Sequence, residues 1–566
     1  MLVGIFRDPF TSPAQGSFPR CSTNEEVSIT MTTTVIVGGV AGGMSTAARL
    51  RRRDEEMEII VLEASGYVSF ANCGLPYHVS GVIPERDSLL LQTPESLAQR
   101  FNLDVRVNTR ATAIDRENKT VTTGNGESIS YDYLVLSPGA TPIMPPIPGI
   151  ERALNLRTVE DVDTVIAALT DEVKSAAIIG GGFIGLEMAE NLRHRGLEVT
   201  VIERAPQIMT PLDEEMAVIV EKHLVDNGVT VITGGDTTDI AADHLTLSDG
   251  RTVPADMVIA SIGVKPASDL AADAGLEVGE RGGIRVDEQQ RTSDPSIFAL
   301  GDAAEKLDAV SGEDTLVPLA QTANRHGRLV ADIITGRDVR RTPTLGTAIV
   351  GLFDMAAGSV GWNERRARAA GKNIRVIHTH PSDHAGYYPG AEMLHLKLVV
   401  DADTDAILGA QAVGGAGVDK RIDVIATAMR GGLTATDLAD LELAYAPQFG
   451  SAKDPVNLLG YVNDNMVNGE KTVQWHELSD ALSDGWTLVD VRTPGEFNAG
   501  TIPGAVNIPV DDIRDRIDEL EGRKALAFCR VGQRGHVAAS LLTHLGVESA
   551  NLDGGFITWE LSPANK

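Results

Sequence analysis

The stretch Thr34-Val-Ile-Val-Gly38-Gly-Val40-Ala-Gly-Gly43 decides the fold of the first half of this chain. Its β-branched residues predict a buried strand from Thr32 to Val37, and its glycines predict a tight turn. We expect a helix from Met44 to Arg53 and then a strand from Glu58 to Glu63, which ends in an acid. This pattern is typical of a dinucleotide-binding unit, with phosphate at the helix start and ribose at the acid. A buried unit without a ligand is the alternative, because Val40 replaces the central glycine of the fingerprint.

A second and complete copy of the pattern is Ala176-Ala-Ile-Ile-Gly180-Gly-Gly182-Phe-Ile-Gly185. A helix is expected from Leu186 to His194 and a strand from Leu197 to Glu203. Glu203 lies 23 residues after Gly180, close to the offset of a ribose ligand. Its carboxylate repels a 2′-phosphate, so we expect NADH to be favoured, although Arg204 leaves NADPH open. The two copies together indicate an internal duplication.

Two further segments complete the pattern of a flavin-binding domain. Tyr133-Leu-Val-Leu-Ser-Pro-Gly139 predicts a strand that closes on a turn. The stretch from Thr292 to Asp302 predicts a strand that ends in Gly301-Asp302. An aspartate at such a strand end can bind a ribityl hydroxyl of a flavin.

With these segments in place, residues 31 to about 460 resemble the pyridine nucleotide–disulfide oxidoreductases. The stretch Ser69-Phe-Ala-Asn-Cys73-Gly-Leu-Pro-Tyr77 resembles their single-cysteine branch of coenzyme A-disulfide reductases, NADH peroxidases and oxidases, and NADH-dependent persulfide reductases. The resemblance implies a homodimer that binds FAD and NADH. It implies FAD at Gly38, Val40, Gly43, Glu63, Gly139, Gly301 and Asp302, and NADH at Gly180, Gly182, Gly185 and Glu203.

Cys73 lacks the second cysteine that other members of this family carry in a C-x4-C arrangement. A lone cysteine cannot store two electrons as an internal disulfide, so it must form a mixed disulfide with a substrate thiol or a sulfenic acid. The thiolate is the reacting form, and we therefore expect a nearby group that lowers the pKa of Cys73. A buried inert cysteine is the alternative.

Coenzyme A is the expected substrate thiol, because its phosphates need cations and arginines suit phosphate. Arg49, Arg51, Arg52 and Arg53 lie on the first predicted helix, for which a solvated helix end is the alternative. The resemblance implies coenzyme A contacts at Ser45, Arg49, Arg52, Ser69, Asn72, His326 and Lys453.

The stretch from Leu441 to Lys453 resembles the dimerisation domain of the family, which reaches into the partner's active site. The resemblance implies that Tyr445 and one of Tyr387 or Tyr388, which we assign as Tyr388, place hydroxyls near Cys73 of the other subunit. A tyrosine hydroxyl can stabilise a thiolate or act as a general acid. Interface packing is the alternative.

Cys529 begins the loop Cys529-Arg-Val-Gly-Gln-Arg534, which follows a predicted strand from Ala525 and precedes a predicted helix from His536 to Leu545. Successive N–H groups in such a loop form an anion nest, and Arg530 and Arg534 add positive charge that stabilises a thiolate or a persulfide. The segment resembles a rhodanese domain. The six-residue loop from cysteine to arginine favours sulfur over phosphate, and a catalytically inactive docking domain is the alternative.

Composition excludes several other classes of function. The net charge of −30 disfavours a nucleic-acid partner, and the chain has no apolar run of the ~18 residues that a membrane span needs. Three cysteines do not make a disulfide framework, so we expect a reducing compartment, the cytoplasm. We predict no metal site.

The predicted fold class is α/β, with two Rossmann-like dinucleotide domains, an α+β dimerisation domain and a C-terminal rhodanese-like domain. Residues 1–30, which include Cys21, lack the pattern of a secretory signal and are expected to be a disordered extension. The expected domains are FAD-binding over 31–150 and 262–335, NAD(P)H-binding over 151–261, dimerisation over 336–462 and rhodanese over 470–566.

These features predict an FAD-dependent NAD(P)H oxidoreductase. It reduces coenzyme A disulfide, coenzyme A persulfide or polysulfide through Cys73, and Cys529 delivers sulfane sulfur. Two alternatives stay open. One is an NADH oxidase or peroxidase in which Cys73 cycles through sulfenic acid. The other is a sulfur-trafficking or redox-sensing sulfurtransferase built around Cys529.

Overall fold

The computed structural model describes residues 31–565, so the expectations for residues 1–30 and for Cys21 lie outside the described part of the chain. Residues 31–150 begin with the predicted strand, helix and strand. Their elements are β1 (Thr33–Val37), α1 (Ala41–Arg53), β2 (Glu58–Leu62), α2 (Leu75–Ser80), α3 (Pro94–Phe101), β3 (Asp104–Arg106), β4 (Ala111–Asp115), β5 (Thr120–Thr123), β6 (Ser128–Ser130), β7 (Tyr133–Leu136) and β8 (Ala140–Pro142). Helix α1 begins three residues earlier than predicted, because the last glycines of the turn form its first turn.

Residues 151–261 repeat the strand–helix–strand unit. Their elements are α4 (Val159–Ala168), β9 (Ser175–Ile179), α5 (Phe183–His194), β10 (Glu198–Glu203), α6 (Glu214–Asp226), β11 (Val229–Thr233), β12 (Thr237–Ile240), β13 (His244–Leu247), β14 (Thr252–Pro254) and β15 (Met257–Ala260). A parallel sheet has the order β11-β10-β9-β15, and β12, β13 and β14 form a small antiparallel sheet. Helix α5 also begins three residues earlier than predicted, because Phe183, Ile184 and Gly185 already belong to its first turn.

Residues 262–335 complete the first domain, because one of their strands joins its sheet. Their elements are β16 (Val264–Pro266), α7 (Asp269–Asp273), β17 (Ile297–Ala299), β18 (Lys306–Leu307), β19 (Asp314–Thr315) and α8 (Ala320–Ile334). Strand β17 adds to a parallel sheet with the order β17-β7-β1-β2-β3. Strands β1 and β7 are almost fully buried, as expected for a parallel sheet that is covered on both faces.

Residues 336–469 form an antiparallel sheet with helices packed against it. The elements are β20 (Ala348–Leu352), β21 (Met355–Gly361), α9 (Glu364–Ala369), β22 (Ile374–Thr379), β23 (Leu394–Asp401), β24 (Ile407–Gly414), α10 (Val418–Gly431) and α11 (Pro455–Val467). The sheet order is β20-β21-β24-β23-β22. The apolar faces of α10 and α11 join the same hydrophobic core as β23 and β24.

The C-terminal segment forms a separate parallel sheet. Its elements are β25 (Thr472–Val473), α12 (Leu478–Ser483), β26 (Trp486–Asp490), α13 (Pro494–Asn498), β27 (Val506–Asn507), β28 (Lys524–Phe528), α14 (Gln533–His544), β29 (Glu548–Leu552) and α15 (Gly555–Leu561). The order is β25-β29-β28-β26-β27. The whole described chain therefore has the predicted α/β architecture. No helix among residues 31–565 is long and apolar enough to cross a membrane.

Candidate active site

The glycine turn of the first unit leaves the start of α1 open. Gly38 has a φ of +101°, and a Cβ at Gly43 would lie 1.8 Å from the carbonyl oxygen of Gly38, so helix and strand approach closely only because these residues are glycines. No described side chain caps the first N–H groups of α1. Free N–H groups at a helix start are a binding place for phosphate, which fits the pyrophosphate of a dinucleotide.

The second unit has the same geometry at α5. Gly180 has a φ of +113°, and a Cβ at Gly185 would lie 2.0 Å from the carbonyl oxygen of Gly180. A Cβ at Gly182 would meet no described atom within 4 Å. Gly182 is the counterpart of Val40, so the open space at this position explains why the first turn accepts valine there.

Glu63 and Glu203, the two acids that were predicted to bind ribose, also accept hydrogen bonds from the backbone of their glycine turns. Glu63 accepts hydrogen bonds from the backbone N–H groups of Gly39 at 2.7 Å and Ser65 at 2.8 Å. Glu203 accepts from those of Gly181 at 2.8 Å and Ala205 at 2.7 Å. Both carboxylates are partly exposed, so both remain accessible to a ribose hydroxyl.

Asp302 lies in a 3-10 turn over Gly301–Ala303, directly after β17. Its carboxylate forms an ion pair with the guanidinium of Arg157 at 3.0 Å. A Cβ at Gly139, whose φ is +75°, would lie 3.2 Å from the same guanidinium. The predicted flavin residues Gly139 and Asp302 therefore meet at Arg157, which the sequence pattern did not indicate.

Cys73 lies in a 3-10 turn over Asn72–Gly74, immediately before α2, and is an exposed free thiol. Although it is exposed, the protein around it removes part of the solvent. This desolvation, together with the carboxylates of Glu187 and Asp302, raises the pKa of Cys73. The described residues of one chain therefore raise the pKa of Cys73 overall, and the group expected to lower it stays a prediction.

Glu187 is a second residue that the sequence pattern did not indicate. It lies on α5, two residues after the last fingerprint glycine, and burial together with Glu190 raises its pKa to about 7. Cys73 thus lies between an acid of the first unit, Asp302, and an acid of the second, Glu187. Both nucleotide-binding units meet at the thiol.

The arginines of α1 have three different environments. Arg51 is buried and donates to backbone carbonyls of Asp54, Glu55, Phe101 and Asn102, so its role is structural. Arg49, a predicted coenzyme A contact, forms an ion pair with Asp332 at 2.8 Å. Arg52 is exposed and has a free face toward solvent.

Four of the five remaining predicted coenzyme A contacts are Ser45, Ser69, Asn72 and Lys453. Ser45 donates to the side-chain oxygen of Asn324, Ser69 has a φ of +48°, and Asn72 donates to the carbonyl of Arg157. Lys453 is exposed. Of the predicted coenzyme A contacts described so far, Arg52, Asn72 and Lys453 are exposed.

His326 is the fifth of these predicted coenzyme A contacts and lies in a buried environment. It is buried on α8, and burial together with Lys306, Arg325 and Arg341 lowers its pKa to about 3. Its Nδ1 has no hydrogen-bond partner among residues 31–565. His326 is therefore neutral and adds no positive charge for a phosphate group.

Tyr387 and Tyr445 form an exposed pair, with their hydroxyl oxygens 2.9 Å apart. Tyr388, the residue assigned from the sequence, instead lies edge-on to His384 with ring centroids 5.8 Å apart. Of the two candidates that the sequence left open, the geometry therefore favours Tyr387. One hydrogen lies in the bond between the two hydroxyls, which leaves one O–H of the pair to donate to another acceptor.

Cys529 is fully buried at the end of β28 and begins the loop that leads into α14. Arg534 donates two hydrogen bonds to Glu496, at 2.9 and 2.6 Å. These bonds and the nearby sulfur of Cys529 raise the pKa of Arg534 above its usual range. Arg530 is exposed. Arg534 is therefore the cation beside the sulfur, and the sequence had missed its partner Glu496.

Comparison with known proteins accounts for all three parts of the chain. Residues 32–327 match the family model of the pyridine nucleotide-disulphide oxidoreductases, and residues 347–455 match the dimerisation domain of that family. Residues 474–562 match the rhodanese-like domain. The resemblances drawn from the sequence motifs are confirmed.

Several individual proteins are similar over long stretches. Coenzyme A disulfide reductase of Staphylococcus epidermidis is 33% identical over 434 residues, which cover 75% of this chain and 98% of that protein. An NADH oxidase of Methanocaldococcus jannaschii is 33% identical over 75% of this chain and 97% of its own length.

Two solved structures are similar over nearly the whole chain. The reduced CoADR-RHD of Bacillus anthracis has a TM-score of 0.92 and 47% identity, and the match covers 94% of this chain and 98% of that one. The NAD-dependent persulfide reductase of A. fulgidus has a TM-score of 0.88 and 38% identity, with 93% and 100% covered. This chain belongs to the pyridine nucleotide-disulphide oxidoreductases, with a dimerisation domain of that family and a C-terminal rhodanese-like domain.

Proposed function

We propose that this chain forms a homodimer that uses NADH to reduce coenzyme A disulfide, coenzyme A persulfide or polysulfide at Cys73, with sulfane sulfur delivered by Cys529. One observation carries the proposal. Two free thiols on one chain have opposite surroundings, since Cys73 is exposed between the two nucleotide-binding units and Cys529 is buried beside Arg534. Free thiols also favour a reducing compartment, the cytoplasm.

Both nucleotides fit the geometry of the two glycine turns. When FAD is bound, its chemistry is the transfer of two electrons from NADH to sulfur. It would be held by Gly38, Val40, Gly43, Glu63, Gly139, Gly301 and Asp302, and NADH by Gly180, Gly182, Gly185 and Glu203. Glu203 favours NADH because its carboxylate repels a 2′-phosphate.

At Cys73, the thiolate attacks the inner sulfur of coenzyme A persulfide. A bond forms between Cys73 and the sulfur of coenzyme A, the persulfide bond breaks, and sulfide leaves. Two electrons from NADH then cleave this mixed disulfide and return the thiolates of Cys73 and coenzyme A. With coenzyme A disulfide the leaving group of the first step is a coenzyme A thiolate.

The Cys73 thiolate needs stabilisation, because Glu187 and Asp302 oppose it within its own chain. The hydroxyl pair of Tyr387 and Tyr445 is exposed on the dimerisation domain, and the O–H that is not used between the two hydroxyls can donate to the thiolate of the other subunit. This role makes the homodimer a requirement for catalysis, and it assigns Tyr387 in place of Tyr388.

Cys529 serves as the sulfur carrier. It accepts a sulfane sulfur from polysulfide, and the outer sulfur of the resulting persulfide then passes to the coenzyme A thiolate, which regenerates the Cys529 thiolate. Arg534 and the N–H groups of the loop stabilise the anionic forms. Arg52 and Lys453 are exposed cations that suit the phosphates of coenzyme A. The long thiol arm of coenzyme A can then carry sulfur between the two cysteines.

A lone exposed Cys73 also suits an NADH oxidase that cycles through sulfenic acid. The similar protein of M. jannaschii carries that name. The rhodanese-like domain argues against this candidate, because reduction of oxygen or peroxide needs no sulfur carrier.

NADH consumption by Cys73→Ser tests the proposal. The variant should lose NADH-dependent reduction of coenzyme A disulfide by at least about a thousandfold, as expected when a nucleophile is removed. It should keep its FAD, which ligand mass spectrometry will detect, because no cysteine holds the flavin. Disulfide reduction at the wild-type rate, or oxygen consumption that exceeds sulfur reduction in the wild type, would refute the proposed mechanism.

A further inference from the structure

The carbonyl groups of the Cys529 loop are held by the start of α15. The N–H of Phe556 donates to the carbonyl of Cys529 at 2.7 Å, and the N–H of Ile557 donates to the carbonyl of Arg530 at 3.0 Å. The C=O and N–H of a trans peptide point in opposite directions. These two hydrogen bonds therefore set the direction of the next N–H groups, those of Arg530 and Val531, which belong to the anion nest.

The turn at the start of α15 packs directly against the Cys529 loop. Gly554 and Gly555 have φ values of +65° and +67°, in the left-handed region that favours glycine. A Cβ at Gly555 would lie 2.5 Å from the carbonyl oxygen of Cys529 and 2.6 Å from the nitrogen of Gly532. Any shift of this turn therefore moves the loop.

The residue before this turn, Asp553, is anchored by the reductase half of the chain. Its buried carboxylate accepts from the backbone N–H of His378 at 2.9 Å and lies 2.7 Å from Nδ1 of His378. His378 lies on β22 of the dimerisation domain, and its Nε2 lies 2.9 Å from the carboxylate of Glu215 on α6. Both ring nitrogens thus face a carboxylate, so both donate and the ring is charged.

The groups that surround His378 favour its charged form. Burial alone would lower its pKa, but the hydrogen bonds to Asp553 and Glu215 outweigh this effect and raise it to about 9. Lys397 on β23 fixes Glu215 in place, with Nζ 2.5 Å from its carboxylate, 2.7 Å from that of Glu364 and 3.0 Å from that of Asp213. The three acids could otherwise suggest a metal site, but Lys397 is their cation.

A second contact connects α15 to the antiparallel sheet that contains β22 and β23. The hydroxyl of Thr558 lies 2.7 Å from Nε2 of His380, and Nδ1 of His380 lies 2.9 Å from Nδ1 of His395. This contact holds the helix but does not involve Asp553. It therefore provides a matched control.

We propose that His378 is a positioning residue for Cys529. It holds Asp553, Asp553 fixes the turn before α15, and that turn directs the N–H groups that stabilise the sulfur anion. The inference rests on the proposed role of Cys529 as a sulfur carrier. It makes the reactivity of the rhodanese-like domain depend on the reductase half to which it is fused.

Alkylation of Cys529 by iodoacetamide tests this role in the full FAD-bound protein, followed by mass spectrometry of the Cys529 peptide. The rate is measured across a pH series and compared below the midpoint of the wild-type profile, where it is proportional to the thiolate fraction; the plateau at high pH separately reports access to the buried sulfur. His378→Gln removes the side-chain donor toward Asp553 and leaves the backbone N–H, so it should slow alkylation by about tenfold, the effect of one lost charge-assisted hydrogen bond. His378→Asn keeps a donor at the place of Nδ1 and should stay within about threefold of the wild type, as should Thr558→Val.

Equal slowing by His378→Asn and His378→Gln would overturn the inference, as would wild-type alkylation in His378→Gln. Reduction of coenzyme A disulfide checks that each variant is folded. If His378→Gln does not fold, Asp553→Asn removes the same charged contact and must slow alkylation in its place. A failure of the proposed function appears separately, as polysulfide reduction that survives Cys529→Ala, and leaves the alkylation result intact.

Discussion

The two cysteines of this chain lie in opposite electrostatic surroundings. Cys73 is exposed and faces the carboxylates of Glu187 and Asp302, whereas Cys529 is buried next to the guanidinium of Arg534. A carrier must hold an anionic persulfide, so its own loop and arginine supply the stabilisation. A thiol that exchanges with substrate and flavin needs access instead, and we infer that the second subunit completes its activation.

The largest expected effect in this comparison concerns Arg534. Arg534→Ala removes the cation beside Cys529 and leaves Glu496 unpaired, so both changes oppose the thiolate. Sulfur loading from polysulfide should fall by about a hundredfold, the scale for losing one anion-stabilising donor. Arg530→Ala is the control and should change the rate by less than about threefold, because an exposed charge contributes little. Equal losses in the two variants would show that net charge, rather than position, governs the loop.

The next effect concerns NADH selection by Glu203. Glu203→Gln removes the charge but keeps one acceptor for the N–H groups that brace the turn. The ratio of kcat/KM for NADH to that for NADPH should fall by about tenfold, since the repulsion of a 2′-phosphate is lost. Glu203→Ala also removes the brace, so it should in addition raise KM for both nucleotides. A wild-type preference for NADPH would contradict the assignment of Glu203.

The smallest effect concerns the acids around Cys73. Glu187 loses its proton near pH 7 and then disfavours the Cys73 thiolate. Glu187→Gln removes this charge, so the pKa of Cys73 should fall and the acidic limb of the kcat/KM profile should move down by about half a pH unit. Glu198→Gln is the control, because Glu198 is an exposed acid of the same unit that acts neither on Cys73 nor on Glu187, so the limb should stay in place. A shift to higher pH in Glu187→Gln would contradict this reading of the site.

Much of this architecture could be predicted from the sequence because local patterns encode it. Glycine spacing and β-branched runs identified both strand–helix–strand units, and the loop of Cys529 identified the rhodanese-like domain. The helix starts were predicted three residues late, because the last residues of each glycine pattern already belong to the helix.

The contacts that tune the site could not be predicted in the same way. Arg157 and Asp302 are 145 residues apart in sequence, and His378 and Asp553 are 175 apart. No local sequence pattern indicates such pairs, because they come together only when separate domains pack against each other. The effect of Glu187 on Cys73 could not be predicted for the same reason, because Glu187 comes from the second unit.

The most direct test of the sulfur relay is kcat/KM of Cys529→Ala for two substrates, coenzyme A disulfide and polysulfide, measured in the full FAD-bound protein. Coenzyme A disulfide can reach Cys73 directly, so its reduction should stay within about twofold of the wild type. Polysulfide must first be unloaded at Cys529, so its value should fall by at least about tenfold. Equal losses for the two substrates, or no loss for either, would contradict the relay between the two cysteines.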